Sequence, residues 1–204
     1  IRDKLVTGVQ TCALPIFGEV VLRHKLVLIS DEIYEAIVYD GHRHVSPVSL
    51  SPELRARTIL VNSLSKTYAM TGWRVGYCAA PAPLIKAMFL VLQQSSRGPA
   101  TFIQDAAAAA LSGDQQPVEA MRLEYAARRA AVSTALAGLP RVQVREPEGG
   151  FFSMVDVSAT GRSSNEVRRH LLTGHRVVVA HGSAYGPGGE STLRVSFEIG
   201  RAHV

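Results

Sequence analysis

Two short apolar runs, each followed directly by polar residues, restrict the fold of this 204-residue chain more than any other feature. Residues 26–29 precede Asp31, and residues 58–61 precede Asn62 and Ser63. Uninterrupted apolar runs of this length are typical of strands that are buried on both faces of a parallel sheet. Ligands bind beyond the carboxyl ends of such strands. We therefore expect an α/β fold in which the polar residues after both runs line one crevice.

Helical spacing dominates the middle of the chain. A third strand-like run at 76–80 is followed by helical patterns over 84–92 and 102–111. A longer helical pattern spans 118–136 and is closed by a glycine and a proline. We expect residues 17–115 to form part of a larger domain, and residues 116–138 to form a connecting helix.

The last third of the chain returns to an alternation of strands and a helix. Ser163 has the position of a helix N-cap, and Glu166 stands three residues later, as in a capping box. Strand patterns lie on both sides of this helix, at 142–144, 151–157, 176–180 and 192–197. We expect a small α/β domain over residues 139–198.

The two ends of the chain are expected to be foreign to the folded protein. Residues 1–16 and 199–204 match the translation of a common short-read sequencing adapter and of its complementary strand. We therefore interpret both segments as adapter-derived and expect them to pack poorly or to lie extended, because nothing selected them to fold here. Native sequence is then expected to continue on both sides.

Composition argues against nucleic acid and membrane as partners. The formal net charge is +5, and the basic residues are scattered rather than clustered. No run is long and apolar enough to span a bilayer. With the ends set aside Cys78 is the one cysteine, so we expect no intrachain disulfide and a reducing, cytoplasmic location. The histidines show neither paired metal spacing nor carboxylate partners, so no metal site is expected.

The stretch at 62–77 contains a serine, a lysine and an arginine, whose side chains can each take part in binding or catalysis. A desolvated lysine such as Lys66 can form an imine with an aldehyde and later act as a base. A phosphate dianion needs hydroxyl or backbone donors and a guanidinium that binds it bidentately. Ser63 stands three residues before the lysine, and Arg74 stands eight residues after it.

This stretch, with its Ser-x-x-Lys core and its Gly-Trp-Arg-x-Gly-Tyr end at 72–77, resembles the signature of the class I pyridoxal-phosphate (PLP) aminotransferases. The resemblance continues from the Asp-Glu-Ile-Tyr stretch at 31–34 to the glycine-rich stretch and strand at 186–197, in family order. It implies PLP-transferase fold type I, similar to aspartate aminotransferase. The chain would contain the C-terminal part of the large mixed-sheet domain and the small α/β C-terminal domain.

The resemblance also implies a role for each matching residue. Lys66 would hold PLP as a Schiff base and act as the catalytic base. Ser63, Ser65 and Arg74 would bind the phosphate of the cofactor.

Three further residues complete the implied site. Asp31 would keep the pyridine nitrogen protonated, since an adjacent carboxylate raises the pKa of that nitrogen. Tyr34 would hydrogen-bond the phenolic oxygen of the cofactor. Arg194 would bind the α-carboxylate of the substrate, because its planar fork of donors matches a carboxylate.

The implied activity is transfer of an amino group between an amino acid and a 2-oxo acid by a homodimeric parent protein. The fragment alone is expected to be inactive, because the family's N-terminal half is missing. Two alternatives stay open. The parent could be another fold type I PLP enzyme, such as a β-lyase or a synthase, which a product assay would identify. It could also be a transcription regulator with an aminotransferase-like sensor domain, which a winged helix in the upstream sequence would identify.

Overall fold

The computed structural model describes residues 13–198, which divide into two compact units, 13–120 and 121–198. The helices are α1 (Ala13–Arg23), α2 (Pro52–Arg55), α3 (Leu64–Thr67), α4 (Ala82–Ser95), α5 (Thr101–Ser112), α6 (Gln116–Ala137) and α7 (Ser164–His175). The strands are β1 (Leu28–Asp31), β2 (Thr58–Ser63), β3 (Gly76–Ala79), β4 (Gln143–Val144), β5 (Phe152–Asp156), β6 (Ala180–His181) and β7 (Thr192–Ser196).

The first unit is built around a three-stranded mixed sheet in the order β1-β2-β3. Strands β1 and β2 are parallel, with Asp31 opposite Val61. Strand β3 returns antiparallel to β2, with Gly76 opposite Ser63. The carboxyl ends of β1 and β2 and the amino end of β3 therefore lie at the same edge of the sheet. This is the mixed α/β arrangement that the sequence predicts.

The prediction that the first apolar run is buried on both faces is wrong. Strand β1 begins at Leu28, two residues later than the apolar run, and its burial alternates. The side chain of Ile29 is 67% exposed, and Leu26 and Val27 are exposed as well. In the part of the chain that the structure describes, β1 is an edge strand and its outer face is left uncovered. Local apolarity predicts a strand, but burial requires neighbours on both sides.

The expectation that residues 1–16 would pack poorly or lie extended is wrong for Leu14, which is helical and buried, whereas its neighbours Ala13, Pro15 and Ile16 are exposed. Helix α1 begins at Ala13, and Leu14 is buried together with Gly18 and Val21. These three positions have helical spacing and share one face, which packs toward α2: a Cβ added at Gly18 would lie 3.1 Å from Leu54 Cδ2. An apolar residue in register with a buried face packs whatever its origin. The rest of the two terminal segments, 1–12 and 199–204, lies outside the described residues.

The second unit contains an antiparallel sheet in the order β4-β5-β7-β6. Its core contains Val155, Val157 and Leu193. Helix α7 begins with the predicted capping box: the Ser163 side chain accepts from the Glu166 backbone, and the Glu166 side chain accepts from the Ser163 backbone. The strand predicted over 176–180 is wrong for most of its length, because Arg176 ends α7 in a left-handed conformation and β6 begins only at Ala180.

Helix α6 runs through the division between the two units, which falls at residues 120 and 121. None of the helices in the described part of the chain combines the length and apolarity needed to cross a membrane.

Candidate functional site

The polar residues of the Ser-x-x-Lys stretch lie at the sheet edge where β1 and β2 end. Ser63 is the last residue of β2, and Lys66 follows it within α3. Asp31 is the last residue of β1, and Arg74 lies two residues before β3 begins. Backbone register thus brings four of the predicted site residues to one edge of the sheet.

Ser63 and Ser65 are in direct contact. The hydroxyl of Ser63 lies 2.9 Å from that of Ser65 and 3.0 Å from the carbonyl oxygen of Val75. It also accepts a hydrogen bond of 3.1 Å from the backbone N–H of Ser65, which makes Ser63 the N-cap of α3. The serine before the lysine therefore orients the short helix that carries the lysine.

Lys66 is half-buried on α3, and the residues on its N-terminal side anchor that helix. Leu64 is 1% exposed and packs with Val75 and Ala107 in the core of the first unit. The backbone N–H of Leu64 also donates to the carbonyl oxygen of Val75 at 3.4 Å. Since α3 has only four residues, this apolar anchor and the Ser63 cap fix where the Lys66 backbone stands.

Arg74 has a left-handed backbone conformation, with φ of 53° and ψ of 44°. One guanidinium nitrogen donates to the carbonyl oxygen of Thr71 at 3.1 Å, and the side chain is exposed. A non-glycine residue in this region is uncommon and costs some free energy, so the surrounding turn holds it in place. The turn directs the chain from α3 into β3 and leaves a guanidinium at the sheet edge.

Asp31 ends β1, and Tyr34 lies on the tight turn that follows it. Asp31 is exposed and accepts a hydrogen bond of 3.4 Å from the backbone N–H of Ile33. Tyr34 is half-buried, and its carbonyl oxygen accepts from Ile37 at 2.9 Å. The turn itself is attached to β2, because the backbone N–H of Glu32 donates to Val61 at 2.9 Å.

A buried carboxylate in this turn was not assigned a role from the sequence. Glu32 is 3% exposed, and its Oε1 accepts from the hydroxyls of Ser30 at 2.9 Å and Ser46 at 2.7 Å. Its Oε2 lies 2.7 Å from Nε2 of His44. Glu32 therefore ties the loop at 44–46 to the turn that carries Asp31.

The sequence-based statement that the histidines have no carboxylate partner is wrong for His44. Glu35 lies next to this pair and accepts a hydrogen bond of 2.5 Å from Asn62, the buried residue before Ser63. Glu32, Glu35 and His44 each place a possible ligand atom within 4.8 Å of the others. Because both oxygens of Glu32 already have hydrogen-bond partners, we interpret the group as a structural network. The absence of a metal site stays a prediction.

These carboxylates act on a tyrosine at the same edge. Partial burial raises the pKa of Tyr77 above its ordinary value, and the negative charge of Glu35 raises it further. Both effects favour the protonated phenol of Tyr77.

Arg194 lies on β7 of the second unit, between two aromatic rings. Its guanidinium carbon is 4.3 Å from the ring centroid of Phe152 and 4.4 Å from that of Tyr185. Phe152 belongs to β5, the neighbour of β7, and Tyr185 belongs to the loop before β7. Neither aromatic residue was assigned chemistry from the sequence.

The sequence of the chain is similar to those of known proteins of one family. The family "Aminotransferase class I and II" matches residues 14–202. The chain belongs to this family. It is 39% identical over 178 residues to aspartate aminotransferase of Geobacillus stearothermophilus, covering 85% of this chain and 45% of that protein. It is 42% identical over 183 residues to an arginine–pyruvate transaminase of Pseudomonas aeruginosa, covering 90% and 46%.

Solved aminotransferase structures have the same fold. The aromatic aminotransferase of Pyrococcus horikoshii superposes with a TM-score of 0.88 at 40% identity, covering 94% of this chain and 51% of that one. A PLP-bound putative aminotransferase of Clostridium difficile superposes with a TM-score of 0.83 at 26% identity, covering 90% and 48%. The chain thus has fold type I and spans about half the length of these relatives.

In this aminotransferase-family chain, the predicted site residues fall into two groups. Asp31, Tyr34, the two serines, Lys66 and Arg74 belong to the first unit, and Arg194 belongs to the second. Sequence reasoning missed Glu32, although it stands inside the Asp-Glu-Ile-Tyr motif. It also missed the aromatic neighbours of Arg194, although Phe152 lies within the strand predicted at 151–157.

Proposed function

We propose that the chain is the C-terminal part of a PLP-dependent aminotransferase that moves an amino group between an amino acid and a 2-oxo acid. The observation that carries the proposal is the position of Lys66. A capped and anchored short helix places it at the sheet edge where Asp31 also ends its strand, in a chain of the aminotransferase family.

The donor set at this edge fits the cofactor by its chemistry. Lys66 offers an amine for an aldehyde. The hydroxyls of Ser63 and Ser65 and the exposed guanidinium of Arg74 suit a phosphate dianion. The exposed carboxylate of Asp31 suits a protonated pyridine nitrogen. Amine, phosphate donors and carboxylate thus all lie at the same sheet edge.

When bound, PLP supplies an aldehyde and an electron-withdrawing ring. In our proposal, Lys66 attaches the cofactor and then moves a proton at the α-carbon of the substrate. Asp31 keeps a proton on the ring nitrogen, and Tyr34 hydrogen-bonds the phenolic oxygen. Ser63, Ser65 and Arg74 bind the phosphate.

Arg194 orients the α-carboxylate of the amino acid or 2-oxo acid in this proposal. The relatives carry names that span aspartate, aromatic and arginine–pyruvate transamination. We therefore propose the reaction type without a side-chain preference. We also propose that the parent protein is a homodimer, which the family resemblance supports. A cytoplasmic location is part of the same proposal, and the single, free cysteine of the described residues, Cys78, supports it.

Amino-group transfer by the full-length parent protein tests this function. An amino acid labelled with nitrogen-15 is supplied with unlabelled 2-oxo acids and PLP, and the product amino acid is analysed by mass spectrometry. We expect the label in a new amino acid, with ping-pong kinetics, and loss of multiple turnover in Lys66→Ala. Release of the label as ammonia, or turnover that survives Lys66→Ala, would refute the proposal.

A further inference from the structure

The guanidinium of Arg194 has an aromatic ring on each side. Phe152 and Tyr185 lie at nearly equal distances from its central carbon, 4.3 and 4.4 Å. Among residues 13–198 these ring contacts are its interactions, and it makes neither a hydrogen bond nor an ion pair there. Within the described part of the chain, stacking on the two rings thus holds this half-buried cation, and its donors are unused.

The ring of Phe152 is held from the core side. Phe152 stands on β5 beside Phe151, which is 0% exposed, and the centroids of the two rings are 4.8 Å apart. Phe151 in turn lies 5.5 Å from the ring of Tyr125. Because this aromatic group packs into the interior of the second unit, Phe152 forms a fixed surface on one side of Arg194.

The loop that carries Tyr185 is held by close backbone contacts. Gly182 and Gly189 approach so closely that a Cβ on Gly182 would lie 2.2 Å from the carbonyl oxygen of Gly189. Just beyond, Oε1 of Glu190 accepts from the backbone N–H and the hydroxyl of Ser164, both at 2.8 Å, which ties the loop to the start of α7. Tyr185 itself is 54% exposed, so core packing does not explain its position over Arg194.

We propose that Phe152 and Tyr185 are positioning residues that clamp Arg194 so that it presents the N–H edge of its guanidinium to a flat carboxylate. With both faces covered, a ligand can approach Arg194 only in the plane of the group. A carboxylate accepts two parallel N–H bonds in that plane, so the clamp favours bidentate binding. The side chain is also ordered before the ligand arrives, which lowers the entropic cost of binding. This inference rests on the proposed function, in which Arg194 receives the substrate carboxylate.

Side-chain NMR of the full 204-residue chain tests the clamp, with pyruvate as the probe. The Nε–Hε signal of Arg194 is identified by its loss in Arg194→Lys. We expect a shift caused by the two rings and a saturable change as pyruvate is added, but none with pyruvamide, which lacks the carboxylate. In Tyr185→Leu and Phe152→Leu we expect ~2- to 10-fold weaker pyruvate binding, since a freed side chain must be ordered by the ligand.

Two matched variants separate the clamp from a general loss of structure. Tyr185→Phe keeps the ring and should bind pyruvate within about twofold of the unmodified chain, because stacking on the cation does not need the hydroxyl. Phe102→Leu removes a ring that is 67% exposed in the other unit and should leave the Arg194 signal in place.

Two results would overturn the inference, and they differ in what else they refute. If both leucine variants bind pyruvate as tightly as the unmodified chain, the clamp is refuted while the carboxylate role of Arg194 stands. If the Arg194 signal of the unmodified chain does not respond to pyruvate, the clamp and that part of the proposed function fail together. Cofactor attachment at Lys66 is decided by a separate experiment.

Discussion

Replacement of Glu32 by Ala should destabilise the first unit strongly, because Glu32 is a buried carboxylate with three partners. The change leaves the hydroxyls of Ser30 and Ser46 and the ring of His44 without their acceptor. Hydrogen bonds to a charged group contribute about 1.5–3 kcal/mol each, but bonds within one network do not add simply. Leaving a buried donor without its acceptor costs about 1–3 kcal/mol, and the contact with the partly exposed His44 adds less than a fully buried ion pair would. We expect a loss of unfolding free energy of about 2–4 kcal/mol.

The chain offers a selective probe for this measurement. Its single tryptophan, Trp73, lies in the first unit, so tryptophan fluorescence during urea unfolding reports on that unit. The expected result is a lower urea midpoint with an unchanged slope. Glu32→Gln should cost less, about 1–2 kcal/mol, because the amide oxygen can still accept from both serines while the charge is lost.

The matched control is Glu19→Ala, an exposed glutamate on α1 in the same unit. Surface substitutions away from special features change stability by only about 0.5 kcal/mol. If Glu32→Ala costs no more than Glu19→Ala, the Glu32 network does not hold the turn of Asp31, and the reasoning is refuted.

Two further predictions concern the second unit. Hydrogen bonds from Ser164 and Ser191 lower the pKa of Glu190 from 4.5 to about 2, so its stabilising effect should be complete above pH 4.5 and disappear as the pH falls toward 2. Glu190→Gln should remove this part of the acid titration followed by the amide signal of Ser164, and an unchanged titration would contradict the assignment. Gly182→Ala should lower the free energy of unfolding by at least about 1–3 kcal/mol, because the added Cβ would lie 1.9 Å from Oγ1 of Thr192. In Gly188→Ala the added Cβ meets nothing within 4 Å, so the melting temperature followed by circular dichroism should hardly change. Equal shifts of the melting temperature in both variants would count against the close packing around Gly182.

Local patterns in the sequence were sufficient to predict most of the secondary structure. The capping box at Ser163 is formed as predicted, because its signal is contained within four consecutive residues. The long helix α6 was visible for the same reason, since helical spacing persists over its length. Burial was harder to predict, as Ile29 shows, because it depends on neighbouring strands that the spacing of one run does not reveal.

Contacts between distant residues could not be read from spacing. His44 lies 12 residues from Glu32, and only the return of the intervening loop brings their side chains to 2.7 Å. The stacking of Arg194 likewise joins a residue of β5, a residue of the loop before β7 and a residue of β7. The motifs identified the candidate site residues, whereas the residues that hold them in place were identified only from the three-dimensional structure.

The most direct test of the central claim is to locate where PLP attaches covalently to this chain. The chain is incubated with PLP, reduced with borohydride, digested and analysed by peptide mass spectrometry. Lys66 is half-buried, whereas Lys25 and Lys86 are exposed, so non-selective attachment would favour the exposed lysines. We predict the pyridoxyl group on Lys66 ahead of both, and much less labelling of Lys66 in Asp31→Asn. Equal or greater labelling of Lys25 and Lys86 would contradict the assignment of Lys66 as the cofactor-binding residue.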